Sequence, residues 1–200
     1  FTGVDGLVWS FVWSLIVSLA ATALHVFCCM LTAYPLTKKS LKGRTGILLF
    51  ILFTMLFSGG MIPYYLLIQD LHLMNNPLIY ILPGLVSGFD IIIAKNFLSG
   101  ISDSLAESAQ LDGAGEYRIF FSIYLPLAKP AIINLAVLQI MWSFQDFLFP
   151  LMFLTKDKAY TTTVAVNAFK GAYGMTPQNL GRYNAALVLI SIPSILIFTF

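Results

Sequence analysis

Residues 6–37 read GLVWSFVWSLIVSLAATALHVFCCMLTAYPLT and contain no formally charged side chain, apart from the charge that His25 can carry. The hydrocarbon core of a bilayer is about 30 Å thick, and a helix needs about 20 apolar residues to cross it. The stretch is long enough for this. It therefore predicts a membrane-spanning helix, which we place at residues 9–34.

The composition of the whole chain points the same way. Of its 200 residues, 58% are hydrophobic and 10% are charged, whereas soluble domains carry about 25% charged residues. So few charges exclude an ordinary soluble enzyme and a disordered chain. The net charge of +2 is too small to indicate a nucleic-acid partner. The sequence predicts an all-α, polytopic helical membrane protein that lies in a lipid bilayer.

Further apolar runs predict four more spans, at residues 47–68, 77–94, 130–154 and 184–200. Basic side chains in short loops mark the cytoplasmic side of a membrane, and four of them follow the first span: Lys38, Lys39, Lys42 and Arg44. With that orientation we expect the chain to start outside and to end inside, and its first residues do not have the charged-then-apolar pattern of a signal peptide. We therefore expect a single transmembrane domain over residues 1–200, with five spans of six, as a fragment that lacks the first helix and the C-terminal tail.

The loop 99–129, between the third and fourth spans, has its own organisation. Ser104 and Glu107 have the spacing of a capping box, which predicts a short helix at 105–111. The sequence DGAG at 112–115 predicts a break, and a second short helix is expected at 116–124, closed by Leu125-Pro126. We therefore expect the loop to form a compact two-helix element at the cytoplasmic surface. The alternative is an amphipathic helix pair that only rests on the lipid headgroups.

This loop carries a family resemblance. The run Glu107-Ser108-Ala109-Gln110-Leu111-Asp112-Gly113-Ala114, followed by Phe120, Ile123, Leu125-Pro126-Leu127 and Pro130, resembles the EAA loop of ABC-importer permeases, with Ser108 where alanine is usual. The stretches YPLTKK at 34–39, IPYY at 62–65, ILPG at 81–84 and KNF at 95–97 are similar to carbohydrate-importer permeases of the maltose-permease type. Within that family the chain looks most like the oligosaccharide-permease branch.

The resemblance implies that the two short helices form a coupling loop that docks in a cleft of a separate ATPase subunit. The coupling residues would be Glu107, Ser108, Ala109, Asp112, Gly113, Ala114, Phe120, Ile123, Leu125 and Pro126. The chain has no phosphate-binding loop of the form GxxxxGK[ST], so ATP and Mg²⁺ are expected on the partner ATPase and this chain is not expected to be an enzyme or to bind a cofactor itself. Gly113 is interpreted as a pivot that transmits motion or as a helix terminator, and Glu107 as a partner contact or a local cap.

An acidic residue lies inside the fourth predicted span. Asp146 would cost several kcal/mol at that depth unless it pairs or meets water, so Asp146, Gln145 and Trp142 are candidate substrate-pathway residues, since sugar pathways combine aromatic faces with polar groups. The alternative is that Asp146 bonds a neighbouring helix. His25 and Asp90, also within predicted spans, are expected to make structural bonds. No cluster with metal-ligand spacing occurs in the sequence, so no metal site is expected.

The resemblance also implies contacts outside the cytoplasm. The segment 160–182 would face an extracytoplasmic solute-binding protein through Tyr173, Gly174 and Asn179, with a plain solvated loop as the alternative. The predicted function is a permease subunit of an ATP-driven importer, which translocates a sugar or oligosaccharide across a bacterial-type cytoplasmic membrane by alternating access. Nucleotide-binding subunits, a second permease subunit and the binding protein are the implied partners. A permease for another solute and a secondary transporter are the alternatives.

Overall fold

A computed structural model describes residues 4–154 and 161–173, together with some of the residues between 180 and 195. Within these residues the chain forms helices and turns and no strand. The helices are α1 (Val4–Ala33), α2 (Arg44–Leu56), α3 (Met61–Asp70), α4 (Gly88–Leu98), α5 (Asp103–Leu111), α6 (Glu116–Ile119), α7 (Leu125–Leu127), α8 (Lys129–Gln145), α9 (Leu148–Phe153) and α10 (Thr162–Tyr173). Two 3₁₀ turns, Pro35–Thr37 and Pro77–Tyr80, and a π-helical turn, Phe120–Tyr124, complete the set.

One helical stretch in the described part of the chain is long and apolar enough to cross a membrane by itself, at Val8–Thr37. The number rises to three if each of two interrupted helix pairs is counted as one span. The first predicted span is therefore present as a continuous helix. The second predicted span corresponds to the interrupted pair α2–α3, and the third and fourth predicted spans are also interrupted. The predicted span at 184–200 lies largely outside the described residues.

The break within the second predicted span has a local cause. The sequence FSGG at 57–60 separates α2 from α3, and Gly60 takes a positive φ of 86°, which favours glycine. Pro63 then lies in the first turn of α3, where no intrahelical N–H bond is lost. The third predicted span is likewise divided, into the 3₁₀ turn Pro77–Tyr80 and α4.

The chain forms two compact units. Unit 1 comprises Phe1–Thr22, Gly60–Gly84 and Val137–Phe200, and unit 2 comprises Ala23–Gly59 and Leu85–Ala136. The core of unit 2 contains fully buried small residues on α1 and α4, including Cys29, Ala33 and Ala94. In the same unit His25 Nε2 lies 3.1 Å from Asp90 Oδ2, so the structure brings these two expected bonding residues together.

For the segment 160–182, the alternative of a plain solvated loop is wrong at residues 162–173. Residues 162–173 form α10, whose first turn is buried against α1. The backbone N–H and the hydroxyl of Thr162 donate to Ser14 Oγ at 2.8 and 3.0 Å. The sequence TTVAV at 162–166 supplies apolar side chains that this packing buries, including Val164 and Val166. Burial and hydrogen bonding, which local composition does not display, therefore make this segment helical.

Candidate functional site

The N-terminus of α5 differs from the predicted capping box. Ser102, in extended conformation, caps the helix by accepting the N–H of Ser104 at 3.4 Å, and α5 begins at Asp103. Ser104 is already helical, and its hydroxyl lies 2.7 Å from that of Ser102. The Glu107 carboxylate is exposed and, within the described part of the chain, accepts no hydrogen bond. The capping role predicted for Ser104 and Glu107 is therefore wrong, and the Glu107 carboxylate stays available to solvent.

The C-terminus of α5 is closed by Gly113. This glycine has a φ of 81°, and two hydrogen bonds close the turn: Gly113 N–H to Gln110 O at 3.0 Å and Ala114 N–H to Ala109 O at 2.9 Å. These are the two bonds of a Schellman motif, which places glycine in the left-handed region just beyond a helix. A Cβ at Gly113 would meet no atom within 4 Å. Backbone conformation, rather than space, therefore requires glycine, and the helix-terminator interpretation describes what this residue does in the structure.

The second predicted helix does not end at residue 124. After α6 the chain makes the π-helical turn Phe120–Tyr124 and continues through α7, with Leu125 in the right-handed helical region. A proline ring normally clashes with the carbonyl four residues before it. The wider π-turn precedes Pro126 and accommodates the ring, so the predicted stop at Leu125-Pro126 is wrong.

Glu116, at the start of α6, joins three parts of unit 2. Its carboxylate accepts hydrogen bonds from the Tyr34 hydroxyl at 2.6 Å and from Gln110 Nε2 at 2.9 Å, and Lys38 Nζ lies 3.4 Å away. The bond from Tyr34, together with the nearby Lys38 ammonium, holds the pKa of the Glu116 carboxyl below its usual range. The sequence pattern does not single out Glu116. Its only signal was an acidic side chain in the first turn of a predicted helix.

An aromatic cluster attaches the same segment to the end of α1. The Tyr34 ring packs against Phe120 and Tyr124 with centroids 5.1 and 5.0 Å apart. The Lys38 ammonium lies 5.0 Å from the centroid of the Tyr34 ring, within the range of a cation–π interaction. Phe120 and Tyr124 are each 1% exposed. Phe120, a predicted coupling residue, therefore points into unit 2 and holds the segment in place.

The outer side of the segment is open. Leu111 is 90% exposed and Tyr117 is 80% exposed. A hollow of about 200 Å³ is lined by Ala109, Asp112, Ala114, Arg118, Ile119, Ser122 and Ile123. Four predicted coupling residues, Ala109, Asp112, Ala114 and Ile123, therefore share one concave surface. The others lie outside it: Glu107, Ser108, Gly113 and Pro126 are exposed, and Leu125 is half-buried.

Unit 1 contains a larger cavity, of about 690 Å³. All three predicted pathway residues, Trp142, Gln145 and Asp146, line it. The remaining lining residues are Tyr64, Ile79, Tyr80, Pro83, Gly84, Gln139, Ser143, Phe147, Leu148 and Phe149. A cavity of this size, mainly apolar and with a few convergent polar groups, is typical of a small-molecule site.

Asp146 lies in the break between α8 and α9, not inside a continuous helix as predicted. Its Oδ1 accepts the backbone N–H of Phe149 at 3.3 Å, and its carbonyl oxygen accepts the Thr163 hydroxyl at 2.9 Å. The Asp146 carboxylate therefore accepts from a backbone N–H at the start of α9, where no preceding helical turn supplies an acceptor. The side chain is half-buried at the edge of the cavity.

Tyr64 adds a polar group that the sequence did not single out. Its hydroxyl oxygen is buried and has no hydrogen-bond partner among the described residues, and the residue lines the same cavity. A buried hydroxyl without a partner costs about 1–3 kcal/mol. A ligand hydroxyl would offset that cost.

The residues predicted to contact a binding protein are only partly described. Tyr173 is the last residue of α10. Gly174 and Asn179 lie outside the described residues.

Comparisons with known proteins identify the family. A family model described as "Binding-protein-dependent transport system inner membrane component" matches residues 6–200. The polygalacturonan/rhamnogalacturonan transport system permease protein YtcP of Bacillus subtilis (strain 168) is 32% identical over 199 residues, which cover 94% of this chain and 70% of that protein. Protein LplC of the same organism is 32% identical over 198 residues, which cover 94% of this chain and 67% of that protein.

A solved structure agrees with the sequence comparisons. The crystal structure of a bacterial ABC transporter involved in the import of the acidic polysaccharide alginate contains a chain that superimposes with a TM-score of 0.75 at 28% identity, covering 92% of this chain and 72% of that one. The chain is therefore a transport component rather than an enzyme, and it belongs to the family of binding-protein-dependent transport system inner membrane components.

Proposed function

We propose that the chain is a multi-pass permease subunit of an ATP-driven importer that carries a sugar or oligosaccharide across the bacterial cytoplasmic membrane by alternating access. Family membership supports the transport role. A relative named for polygalacturonan and rhamnogalacturonan, and a solved transporter for alginate, support a carbohydrate as the solute. The apolar runs of the sequence support five spans in this chain, and the basic cluster after α1 supports a cytoplasmic location for the segment 99–129.

The observation that carries the proposal is that the segment 99–129 has one side packed against unit 2 and an opposite side exposed. Its inner side is fixed to α1 by Glu116 and the buried rings of Phe120 and Tyr124. Its outer side presents exposed Leu111 and Tyr117 beside a small hollow. Large apolar side chains that are almost fully exposed next to a concave surface are typical of a protein-binding site. The partner is a nucleotide-binding subunit that holds ATP and Mg²⁺.

The mechanism follows from this attachment. When ATP closes a pair of nucleotide-binding subunits, the docked segments approach each other and pull on the ends of the spans to which they are joined. The spans then rotate to open outward, and hydrolysis resets them. A second permease subunit completes the pathway, and an extracytoplasmic solute-binding protein delivers the solute to it. The cavity that contains Trp142, Gln145 and Asp146 contributes to that pathway.

A pair of leucine variants tests the docking step. Leu111→Asp places a charge on a side chain that is 90% exposed, so folding is preserved while an apolar contact is lost. Leu71→Asp is the matched control, because Leu71 is 56% exposed and lies in the segment 69–76 that is predicted on the opposite side of the membrane. We expect Leu111→Asp to abolish co-purification of the ATPase subunit and substrate-stimulated ATP hydrolysis, and Leu71→Asp to leave both intact. Full retention of the ATPase subunit by Leu111→Asp would contradict the proposal.

A further inference from the structure

The described lining of the cavity in unit 1 carries a negative charge and no positive one. Among its described lining residues, Asp146 is the only one with a formal charge. Within the described part of the chain, no Lys, Arg or His side chain forms an ion pair with it. The backbone N–H groups of Phe149 and Leu148 hold the carboxylate, and the other residues of the described lining are neutral. The cavity therefore offers a ligand one negative charge and no described positive charge to balance a second one.

The neutral groups of the cavity suit a ligand with many hydroxyls. Gln139 and Gln145 each offer both donors and acceptors, and Ser143, whose hydroxyl donates to Ser18 Oγ at 3.2 Å, offers an acceptor. Tyr64 contributes a buried hydroxyl that has no partner among the described residues. Amide and hydroxyl groups of this kind hydrogen-bond a hydroxyl in either direction, which a carboxylate alone cannot do.

Aromatic rings provide the apolar counterpart. Trp142 is 76% exposed at the cavity, and Phe147 and Phe149 also line it. Flat apolar faces next to convergent polar groups match a pyranose ring, whose faces are apolar and whose edge carries hydroxyls. The volume of about 690 Å³ accommodates a few such rings.

A carboxylated saccharide fits this cavity poorly. A second carboxylate near Asp146 would place two like charges in a medium of low dielectric, where their repulsion is much larger than in water. Two carboxyl groups that share a site avoid this only when one of them takes up a proton. With no described cation in the lining, either outcome costs free energy that a neutral sugar does not incur.

We propose that this cavity is a saccharide site that selects by charge: it accepts neutral saccharides and disfavours those that carry uronic-acid carboxylates, and Asp146 is the residue that determines this selectivity. The inference rests on the proposed sugar-import function and narrows its substrate class. The named relative and the solved transporter concern polygalacturonan/rhamnogalacturonan and the acidic polysaccharide alginate, so the inference predicts for this chain a saccharide of a different charge class.

Direct binding to the assembled importer tests the proposal. The complex is placed in lipid nanodiscs without its solute-binding protein, which would otherwise select among the sugars. Two matched pairs serve as probes, galactotriose with trigalacturonate and mannotriose with trimannuronate, because the members of each pair differ in the C6 carboxylates. Asp146→Asn is the test variant, since an amide oxygen can still accept the Phe149 N–H. Asp70→Asn, at an exposed carboxylate outside the cavity lining, is the control.

We expect the unmodified importer to bind a neutral trisaccharide more tightly than its acidic counterpart, and Asp146→Asn to narrow that ratio by about tenfold or more. Asp70→Asn should leave the ratio unchanged. Equal binding within the pairs, an unchanged ratio in Asp146→Asn, or binding of neither class would overturn the site assignment. The proposed function is judged separately, by whether saccharide-loaded binding protein stimulates ATP hydrolysis, so the two can fail independently.

Discussion

The hydroxyl of Tyr34, one residue beyond α1, donates a 2.6 Å hydrogen bond to the carboxylate of Glu116, the first residue of α6, 82 positions later in the chain. The second carboxylate oxygen accepts from Gln110 on α5. Glu116 therefore links both short helices to the end of the long apolar helix. A displacement of these helices must either carry the end of α1 with it or break the bond.

Tyr34→Phe removes this hydrogen bond and keeps the aromatic ring that packs on Phe120 and Tyr124. A hydrogen bond to a charged acceptor contributes about 1.5 kcal/mol or more, so we expect the free energy of unfolding of the full-length permease to fall by about that amount. Denaturant unfolding in detergent, followed by tryptophan fluorescence, measures it. Tyr117→Phe is the control, because that ring is 80% exposed and its hydroxyl has no recorded partner in the described part of the chain. Equal losses in the two variants would contradict the role of Tyr34.

Acid should remove the contribution of Glu116. The Tyr34 bond and the Lys38 charge hold its pKa in the folded state below the ordinary 4.5. A carboxyl whose pKa is depressed by folding stabilises the protein fully above its unfolded pKa, and this stabilisation disappears as the pH falls through the folded pKa. We therefore expect Glu116→Gln to be less stable than the unmodified permease at pH 7. The difference should shrink steadily below about pH 4.5. A difference that is constant from pH 7 to pH 3 would show that the charge of Glu116 is not what matters.

Gly113→Ala should destabilise the segment by about 1 kcal/mol, because an alanine held at a φ of 81° is strained even where its Cβ meets no atom. Gly46→Ala is the matched control. Gly46 is also exposed and also open, but it lies inside α2, where alanine is favoured over glycine. The two substitutions should change the unfolding free energy in opposite directions. If both stabilise, the left-handed turn at Gly113 is not maintained.

Sequence patterning could locate α1 because its signal is an uninterrupted apolar run, and it could locate α5 because the DGAG that follows α5 must break a helix. Both the apolar run and the DGAG sequence are local patterns of neighbouring residues. It could not find the partners of Glu116, because Tyr34 and Gln110 approach it only after the chain has folded. The sequence predicts Ser104 as the N-cap of α5, whereas the structure has Ser102 in that role. Both serines could cap the helix, and only the backbone conformation distinguishes them.

The candidate cavity likewise combines residues that the sequence indicates with residues that only the folded structure brings to it. A carboxylate within an apolar run is costly, which marks Asp146, and the aromatic Trp142 and the polar Gln145 lie close to it in the sequence. Tyr64 and Tyr80 lie more than sixty positions earlier in an ordinary aromatic-rich run, and only the packing of unit 1 brings them to the cavity. The helix at 162–173 was missed because Ser14, its hydrogen-bond partner, is remote in sequence.

The pair His25–Asp90 gives the last prediction. His25 is 1% exposed and Asp90 is 13% exposed, with Nε2 and Oδ2 3.1 Å apart. Cys29 Sγ lies 3.5 Å from the same ring nitrogen. Removing one partner of a buried polar pair leaves the other desolvated without its main acceptor, which costs more than the pair itself contributes. We therefore expect Asp90→Ala to lower the unfolding free energy by about 2–3 kcal/mol.

Asp90→Asn separates the hydrogen bond from the charge. An amide oxygen still accepts from the imidazole, so a pair that acts through hydrogen bonding should lose less than half as much stability in Asp90→Asn as in Asp90→Ala. Asp70→Ala controls for loss of a carboxylate at an exposed position and should change stability by less than about 0.5 kcal/mol. Equal losses in Asp90→Asn and Asp90→Ala would mean that an uncharged acceptor does not suffice and that the negative charge of Asp90 is required.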